Sequence, residues 1–386
     1  MSEILDVPFA LRRLLKNSLA HTSKETIPMT ELTPDKEPDI RQHITALATK
    51  ITEDPDYLLQ TLYGAEERAK DWTALVKKQV LDASGNIIPI DNRSRPGHKI
   101  LDHHMLHFCD VANHAGVSLR SLVTQERLET AILRNISMHS TPYRSEIRRM
   151  LAITGGVGMI TKYRAVTAKA IIQYYGNSGG TRVLDPCIGW GGRMLGALAA
   201  SPTTVYVGCE PDPRTAERLI DILATIPTGI SGVHGPHGAP RATIIPEPAE
   251  MALPGLVATA EPFDIVLTSP PYFNLELYGD DPQQSTATHS TWDDWVAGWL
   301  TPVIHGSLAC LKPTGVSCWS VKDFRSDRLY PLAAATRKIH EEAGWRLVKT
   351  VAVSGSGRPG GARIKAGKET RGSEEETFCF KRTEEV

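Results

Sequence analysis

Short apolar segments alternate with helical segments from residue 181 onward, and this alternation constrains the fold more than any other feature of the chain. Apolar segments of this length, separated by helices, are typical of a parallel α/β sheet. We predict seven strands: Arg182–Asp185, Val205–Glu210, Ala242–Ile245, Asp264–Thr268, Val316–Val321, Trp345–Val353 and Thr377–Lys381. Only a glycine-rich segment separates the last two strands, so we expect them to pair antiparallel.

Helices are predicted between these strands and before the first of them. Their ranges are Lys162–Tyr175, Arg193–Ala200, Pro213–Ile226, Trp292–Leu311 and Leu329–Ala343. Residues 1–150 have a different pattern, with charged amphipathic stretches at Arg41–Thr52 and Tyr57–Leu81 and a turn or hairpin at Asp82–Asp91. We therefore expect two domains, a mainly helical region at 1–150 and an α/β domain at 151–386.

Composition excludes several classes of protein. Of the 386 residues, 41% are hydrophobic and 23% are charged, which suffices for a folded core. Lys and Arg total 43 against 44 Asp and Glu, so affinity for nucleic acid must come from a local basic surface. The six cysteines lack a C-x-x-C pair and are expected to be reduced thiols. No signal peptide or run of about 18 apolar residues is evident, so we expect a soluble, cytoplasmic protein.

A glycine-rich turn at Val183–Arg193 (VLDPCIGWGGR) joins the first strand to a helix. Its glycines Gly189, Gly191 and Gly192 let the backbone approach a ligand, and the helix N-terminus offers free N–H groups. Nucleotide and flavin sites share this pattern, as do turns that are only structural. Glu210 ends the next strand, where a ribose diol is held in such sheets. The two features together predict an adenosine-containing ligand.

The segment Ile265–Phe273 (IVLTSPPYF) ends the fourth strand, where ligands bind in open α/β sheets. A base amino group is a poor nucleophile because its lone pair is delocalised into the ring. An enzyme that uses it must accept hydrogen bonds from its N–H groups, and Ser269 Oγ and the Pro270 carbonyl are candidate acceptors. Pro270 and Pro271 fix the turn and keep that carbonyl out of a helix or strand ladder.

Aromatic side chains follow the two prolines. Tyr272 offers a flat face for an extruded base, with Phe273 and Tyr278 as candidate second walls. A Pro-Pro strand terminator with an aromatic ring packed beneath it is the structural alternative. Attack on C5 of cytosine would need a cysteine nucleophile in this turn, and Cys187 lies in the other turn instead.

The segments DPCIGWGG and SPPY resemble the cofactor and catalytic motifs of the exocyclic amino-methyltransferases of DNA, which modify N6 of adenine or N4 of cytosine. The resemblance covers Lys162 to Arg382. It implies a Rossmann-like seven-stranded methyltransferase sheet with an antiparallel last strand, S-adenosyl-L-methionine as cofactor, and catalysis by Ser269–Tyr272. It also implies cofactor contacts by Asp185, Pro186, Cys187, Gly189, Trp190, Gly191, Glu210, Glu247, Thr268 and Lys162.

The resemblance also assigns roles within that set. Asp185 and the backbone at Gly189–Gly191 would meet the methionine part of the cofactor, Glu210 the ribose, and Glu247 or Glu250 the adenine edge. The segment WGGR stands where the family usually has Gly-Ser-Gly-Thr. The SPPY form is commonest in the N4-cytosine enzymes, yet those often place the catalytic motif before the cofactor motif, so the target base stays open.

Double-stranded DNA is the expected partner, with or without a restriction endonuclease counterpart. The segment Ser354–Gly372 would contact phosphates through Arg358, Arg363, Lys365, Lys368 and Arg371, or it is a solvated hairpin. Methylation of RNA or of a protein amide is an alternative, as is a nucleic-acid-binding protein whose catalytic domain is retired. His103, His104 and His107 have the spacing of metal ligands but are expected to pack or cap helices, and no metal is required.

Overall fold

A computed structural model of the chain describes residues 37–91, 94–138, 142–157, 162–226, 241–278, 284–354 and 376–383. The chain forms two compact units. One comprises residues 1–61, 106–161 and 277–279, and the other comprises residues 62–105, 162–276 and 280–386. This division is not a single cut near residue 150, because residues 62–105 belong to the unit that contains the sheet.

Helices and strands are numbered along the chain. The helices are α1 (Glu37–Glu53), α2 (Pro55–Leu59), α3 (Ala65–Lys77), α4 (His98–His104), α5 (Gln125–Ser137), α6 (Arg144–Thr154), α7 (Ala165–Tyr175), α8 (Gly192–Ala200), α9 (Pro213–Thr225), α10 (Ala249–Thr259), α11 (Ser285–Thr288), α12 (Trp292–Trp295), α13 (Thr301–Ala309) and α14 (Leu332–Glu342). The strands are β1 (Ile90–Asp91), β2 (Ala112–Asn113), β3 (Arg182–Asp185), β4 (Val205–Cys209), β5 (Ala242–Ile245), β6 (Phe263–Thr268), β7 (Glu276–Leu277), β8 (Leu311–Val321), β9 (Phe324–Arg325), β10 (Leu329–Tyr330), β11 (Trp345–Ser354) and β12 (Glu376–Arg382).

The first unit is mainly helical in its described part. Helix α5 packs against α1 and α6, and α2 packs against α6. Their apolar faces enclose a core that includes Ile51, Leu58, Leu128, Ile132 and Leu151, all of which are fully buried. Within the described ranges, none of the helices combines the length and the apolar character that a membrane span requires.

The second unit is built on one sheet with strand order β1–β11–β12–β8–β6–β3–β4–β5. Strands β3, β4, β5, β6 and β8 are parallel, and β12 pairs antiparallel with both β8 and β11. All seven predicted strands are present, as is the predicted antiparallel last strand. The fold class is therefore confirmed: it is the Rossmann-like methyltransferase sheet, extended at one edge by the two-residue strand β1, which pairs parallel with β11.

The structure corrects several predicted helix bounds. The predicted helix Trp292–Leu311 consists of α12, a π-helical turn at Val296–Leu300, and α13. Pro302 lies just after the π turn and cannot donate a backbone hydrogen bond, which is a local reason for the change of helix type. Leu329 and Tyr330 form β10, so α14 begins only after Pro331. The long stretch Tyr57–Leu81 forms two separate helices, and α10 was not predicted.

Within the second unit, Lys169 links α7 to the C-terminal end of α3. This lysine of α7 is 2% exposed, and its Nζ donates hydrogen bonds to the carbonyls of Leu75, Val76 and Lys78 at 3.0, 2.6 and 2.8 Å. These carbonyls lie at the C-terminal end of α3, where helices leave backbone acceptors without partners. Burial lowers the pKa of Lys169 to about 8. The contact fixes α3 to the helix that precedes β3.

Candidate active site

Three neighbouring parallel strands end side by side at one edge of the sheet, which is where ligands bind in open α/β folds. Strand β3 lies between β4 and β6. Its last residue is Asp185, Glu210 follows β4 directly, and Thr268 is the last residue of β6. The two motifs recognised in the sequence are therefore adjacent at this edge.

The Asp185 carboxylate is fully buried and fully hydrogen-bonded. Its Oδ2 accepts from Arg193 Nε and from the Tyr206 hydroxyl, both at 2.7 Å. Its Oδ1 accepts from Thr268 Oγ1 at 2.8 Å and from the Cys187 amide at 3.2 Å. These donors come from β4, β6, α8 and the glycine-rich turn. Asp185 therefore holds these segments together, which positions the turn.

Arg193, at the start of α8, is the cation that balances Asp185. It is 4% exposed, and its guanidinium also donates to the carbonyls of Cys187 and Ile188 and lies 5.0 Å from the centre of the Tyr163 ring. Burial alone would lower the pKa of Arg193, but the adjacent Asp185 carboxylate outweighs burial and raises it. Sequence reasoning noted Arg193 only as a departure from the family pattern and missed this function.

The glycine-rich turn passes close to other backbone on one side and borders open space on the other. A Cβ at Gly192 would lie 2.1 Å from the Tyr163 carbonyl oxygen, so no other residue fits there. Gly189 has a φ of 56° and would place a Cβ with no heavy atom within 4 Å. This side of the turn has room for a ligand to approach the backbone.

Glu210 is hydrogen-bonded to Gly189, the residue at that open side of the turn. It is 7% exposed, and its carboxylate accepts from the Gly189 amide at 2.9 Å and from the Asp212 amide at 3.0 Å. Burial raises its pKa to about 7, against the opposing effect of the two amide donors. Each oxygen accepts one of these amides and keeps a second acceptor position. A pair of vicinal hydroxyls would fit this arrangement.

The other predicted cofactor residues of the turn and of the helix before β3 have varied environments. Pro186 is buried, and Trp190 is 8% exposed. Burial raises the pKa of the Cys187 thiol, which therefore stays protonated. Lys162 lies just before α7, and its Nζ forms an ion pair with Asp102 Oδ1 of α4 at 2.7 Å. The assignment of cofactor contacts to these residues stays a prediction.

The two acids proposed for the adenine edge differ. Glu250, in the first turn of α10, accepts a hydrogen bond from the Trp299 indole at 2.9 Å. Glu247 is exposed and lies between β5 and α10. The assignment of either acid to the adenine edge stays a prediction.

The turn after β6 carries the predicted catalytic residues. Ser269 and Pro271 are half-buried, and Pro270 is buried. Neither Ser269 Oγ nor the Pro270 carbonyl makes a hydrogen bond to any described residue. Thr268, one residue earlier, donates its hydroxyl to Asp185. The turn thus presents two acceptors directly after a residue that is hydrogen-bonded to Asp185, at the start of the glycine-rich turn.

Tyr272 is held by the segment that follows β8. Its ring is 9% exposed and meets the Phe324 ring edge-on, with 5.4 Å between centroids. Its hydroxyl accepts a hydrogen bond from the Lys322 amide at 3.1 Å. These contacts fix the orientation of the ring beside Ser269.

Phe273 and Tyr278, the predicted second walls, are placed differently. Phe273 is 4% exposed and packs within 6 Å of the rings of Trp292, Trp295 and Tyr330. Its φ of 39° makes it the one non-glycine residue of the described part with a left-handed backbone. Such a conformation is costly for a bulky residue, and the aromatic packing stabilises it. Tyr278 is half-buried and belongs to the other compact unit.

The β9–β10 hairpin (residues 324–330) was missed by the sequence analysis. Asn274, just after the turn that follows β6, accepts from Ser326 Oγ at 2.7 Å and donates to Asp327 Oδ1 at 3.2 Å. Phe324 and Tyr330 stack with 5.1 Å between centroids. The hairpin therefore supports the turn after β6 through hydrogen bonds and through aromatic packing.

Arg358, Arg363, Lys365, Lys368 and Arg371 lie outside the described residues. Among the described residues, no group of three or more His, Cys, Asp or Glu side chains could hold a metal ion.

The histidines singled out by their spacing have other contacts. His103 Nδ1 accepts from the Tyr63 amide at 3.1 Å, and its Nε2 lies 3.0 Å from the Arg68 guanidinium. Its ring contacts that of His104 edge-on at 4.8 Å. His107 belongs to the other compact unit.

Comparisons with known proteins give similarity to solved structures alone. No protein-family model matches the chain, and no curated protein matches it. TrmN from Thermus thermophilus matches with 18% identity and a TM-score of 0.35, over 57% of this chain and 49% of that chain. The chain thus spans about half the length of this match.

Two further solved structures match at a similar level. An S-adenosylmethionine-dependent methyltransferase from Agrobacterium tumefaciens has 14% identity and a TM-score of 0.36, over 56% of this chain and 60% of that chain. Magnesium protoporphyrin IX methyltransferase from Synechocystis, with S-adenosylmethionine bound, has 12% identity and a TM-score of 0.34, over 57% of this chain and 79% of that chain. These values are too low to carry an argument about function, and the strand order alone supports the fold.

Proposed function

We propose that this protein is an S-adenosylmethionine-dependent methyltransferase that acts on the exocyclic amino nitrogen of adenine (N6) or cytosine (N4) in a flipped-out base of DNA. The observation that carries the proposal is the turn after β6. Ser269 Oγ and the Pro270 carbonyl are hydrogen-bond acceptors without a described partner, at the sheet edge that also holds Glu210.

The glycine-rich turn after β3 and Glu210 after β4 together fit an adenosyl group. Glu210 keeps acceptor positions for the two ribose hydroxyls, and the open side of Gly189 leaves room beside the backbone. Glu247 is proposed to meet the adenine edge. When bound, the cofactor would supply a methyl group on a positively charged sulfur, which is open to attack by a nitrogen lone pair.

The turn after β6, with its two hydrogen-bond acceptors, fits an amino group. We propose that Ser269 Oγ and the Pro270 carbonyl each accept one N–H of the target amine, which reduces delocalisation of the nitrogen lone pair. Because the prolines and the Thr268–Asp185 hydrogen bond fix the turn, these acceptors need little reorganisation during the reaction. Tyr272, oriented by Lys322 and Phe324, would stack on the extruded base.

Substrate competition tests this proposal against its alternatives. Purified protein is titrated with S-adenosylmethionine by calorimetry, and transfer of labelled methyl is then measured with duplex DNA, RNA and a peptide mixture present together. We expect binding of the cofactor and label in the DNA. Label in the RNA or the peptides would replace the proposed substrate, and absence of cofactor binding would refute the methyltransferase assignment itself.

A further inference from the structure

The β9–β10 hairpin has two chemically different faces. In its register Phe324 pairs with Tyr330 and Arg325 pairs with Leu329, so strand alternation places these two pairs on opposite sides. Phe324 and Tyr330 are 5% and 3% exposed and pack toward Tyr272 and Phe273. Arg325 is exposed, and Leu329 is 57% exposed. The inner face thus supports the turn after β6 while the outer face is open to solvent.

The hairpin carries two exposed arginines, Arg325 and Arg328. Arg328, in the connecting turn, is exposed and places its guanidinium 5.0 Å from the centre of the Tyr330 ring. Neither Arg325 nor Arg328 forms an ion pair within the described part of the chain. In the hairpin Leu329 follows Arg328 and pairs with Arg325, so this exposed surface offers both phosphate-binding groups and an apolar contact.

The two acids of this segment are directed to local donors. Asp323 accepts from the Ala333 amide at the start of α14, at 3.0 Å. Asp327 accepts from the Tyr330 hydroxyl, Ser326 and Asn274, and the Tyr330 hydrogen bond is the largest of the effects that lower its pKa. Both carboxylates therefore maintain the hairpin and its link to the turn after β6.

We infer that the exposed surface of the β9–β10 hairpin binds DNA beside the target base, with Arg325 and Arg328 on backbone phosphates and Leu329 against the neighbouring bases. The inference rests on the proposed function and adds a substrate-contacting surface to it. Arginine is suited to phosphate, and apolar side chains are inserted between base steps by proteins that distort a duplex. Because Phe324 and Asn274 tie the hairpin to the turn, the bound strand would lie close to Ser269.

Salt dependence of binding tests the arginines. Binding of a fluorescein-labelled mixed-sequence duplex is measured by anisotropy over a range of salt for the wild type, for Arg325→Ala/Arg328→Ala, and for Arg337→Ala/Lys338→Ala. The control pair removes two exposed charges from α14. Each phosphate contact contributes about 0.9 to the magnitude of the slope of log K against log salt concentration. We therefore expect the magnitude of this slope to fall by about 2 in Arg325→Ala/Arg328→Ala. The control variant should keep the wild-type slope.

Leu329 needs a separate measurement because an apolar contact releases no counterions. We expect Leu329→Ala to lower kcat/KM for DNA methylation by about tenfold without changing the salt slope, which is the size of effect that one apolar contact has. Leu62→Ala, which truncates another exposed leucine of the same unit, should have no effect.

These outcomes separate the hairpin from the proposed function. If the wild type methylates DNA while Arg325→Ala/Arg328→Ala keeps the wild-type slope, the inference is wrong and the proposed function stands. If Arg325→Ala/Arg328→Ala shows a weaker salt dependence of DNA binding but the wild type methylates no DNA, the hairpin binds nucleic acid and the proposed function is wrong. Equal activity of Leu329→Ala and the wild type would remove the contact with bases.

Discussion

The turns after β3 and β6 lie at the same edge of the sheet, yet their polar groups are used in opposite ways. After β3, Asp185 accepts four hydrogen bonds and is fully buried. After β6, the acceptors of Ser269 and Pro270 have no described partner. A satisfied carboxylate stabilises structure, whereas acceptors fixed in place without a partner are suited to a substrate. The comparison separates a residue that positions the site from residues that would act on the base.

The largest expected effect is on stability and comes from the turn after β3. Asp185→Asn leaves the buried Arg193 guanidinium without its counter-charge, which should cost about 3–5 kcal/mol in free energy of unfolding. Denaturant unfolding measures this value. Asp221→Asn, which removes a partly exposed partner of Arg218 on α9, should cost less than about 1 kcal/mol. Equal losses in the two variants would refute the assigned role of Asp185.

The second effect is on catalysis and comes from the turn after β6. Ser269→Ala should reduce methyl transfer about 10²–10³-fold, because it removes one fixed acceptor from the reacting amine. Its unfolding free energy and its affinity for S-adenosylmethionine should match the wild type, since Ser269 Oγ bonds no described residue. Ser84→Ala, in an exposed turn of the same unit, is the matched control. Full activity of purified Ser269→Ala would remove this residue from the mechanism.

A third, smaller effect is the dependence of cofactor affinity on pH, which we expect to follow the ionisation of Glu210. In the proposed complex the ribose hydroxyls would donate to the ionised carboxylate of Glu210, whose pKa is raised to about 7 by burial. Cofactor affinity should therefore rise about tenfold as the pH increases from about 6 to 8. Without cofactor, the stability contributed by the protonated group is present below its ordinary pKa of 4.5 and is lost as the pH rises through about 7.

Calorimetry across this pH range measures the expected rise in cofactor affinity. Thermal unfolding without cofactor measures the expected loss of stability. Glu210→Gln should make cofactor affinity independent of pH, while Glu217→Gln, on the exposed face of α9, should keep the wild-type profile. A pH-dependent affinity in Glu210→Gln would assign the titration to another group.

The smallest expected effect concerns the link between the turn after β6 and the segment after β8. Tyr272→Phe removes the acceptor of the Lys322 amide and should cost about 1 kcal/mol in unfolding free energy. Methyl transfer should fall by no more than about tenfold, because the ring that stacks on the base is retained. A loss as large as that of Ser269→Ala would show that the hydroxyl takes part in the chemistry.

The sheet was predictable because buried parallel strands leave continuous apolar segments between helices. The short strands β9 and β10 were not predictable, because two residues are too few to show alternation. Leu329 and Tyr330 also continue the sequence pattern of the helix that follows. Helix α10 was missed because Pro254 and Gly255 lie inside it, and both residues normally interrupt helices.

The site residues show the same division. Glu210 and Ser269–Tyr272 could be proposed as site residues from the sequence, because they directly follow predicted strand ends, and their roles stay predictions. The support by Arg193 and Tyr206 was not predicted, because the sequence does not show that donors from separate segments converge on one carboxylate. Likewise, no periodicity in the sequence indicates that Phe273 adopts a left-handed backbone inside an aromatic cluster.

The most direct test of the central claim is the identity of the methylated product. Purified protein is incubated with labelled S-adenosylmethionine and unmethylated DNA, and the DNA is digested to nucleosides for mass spectrometry, with Ser269→Ala in parallel. We expect N6-methyladenine or N4-methylcytosine from the wild type and almost none from the variant. Absence of any methylated nucleoside, with cofactor binding demonstrated in the same preparation, would contradict the proposed function.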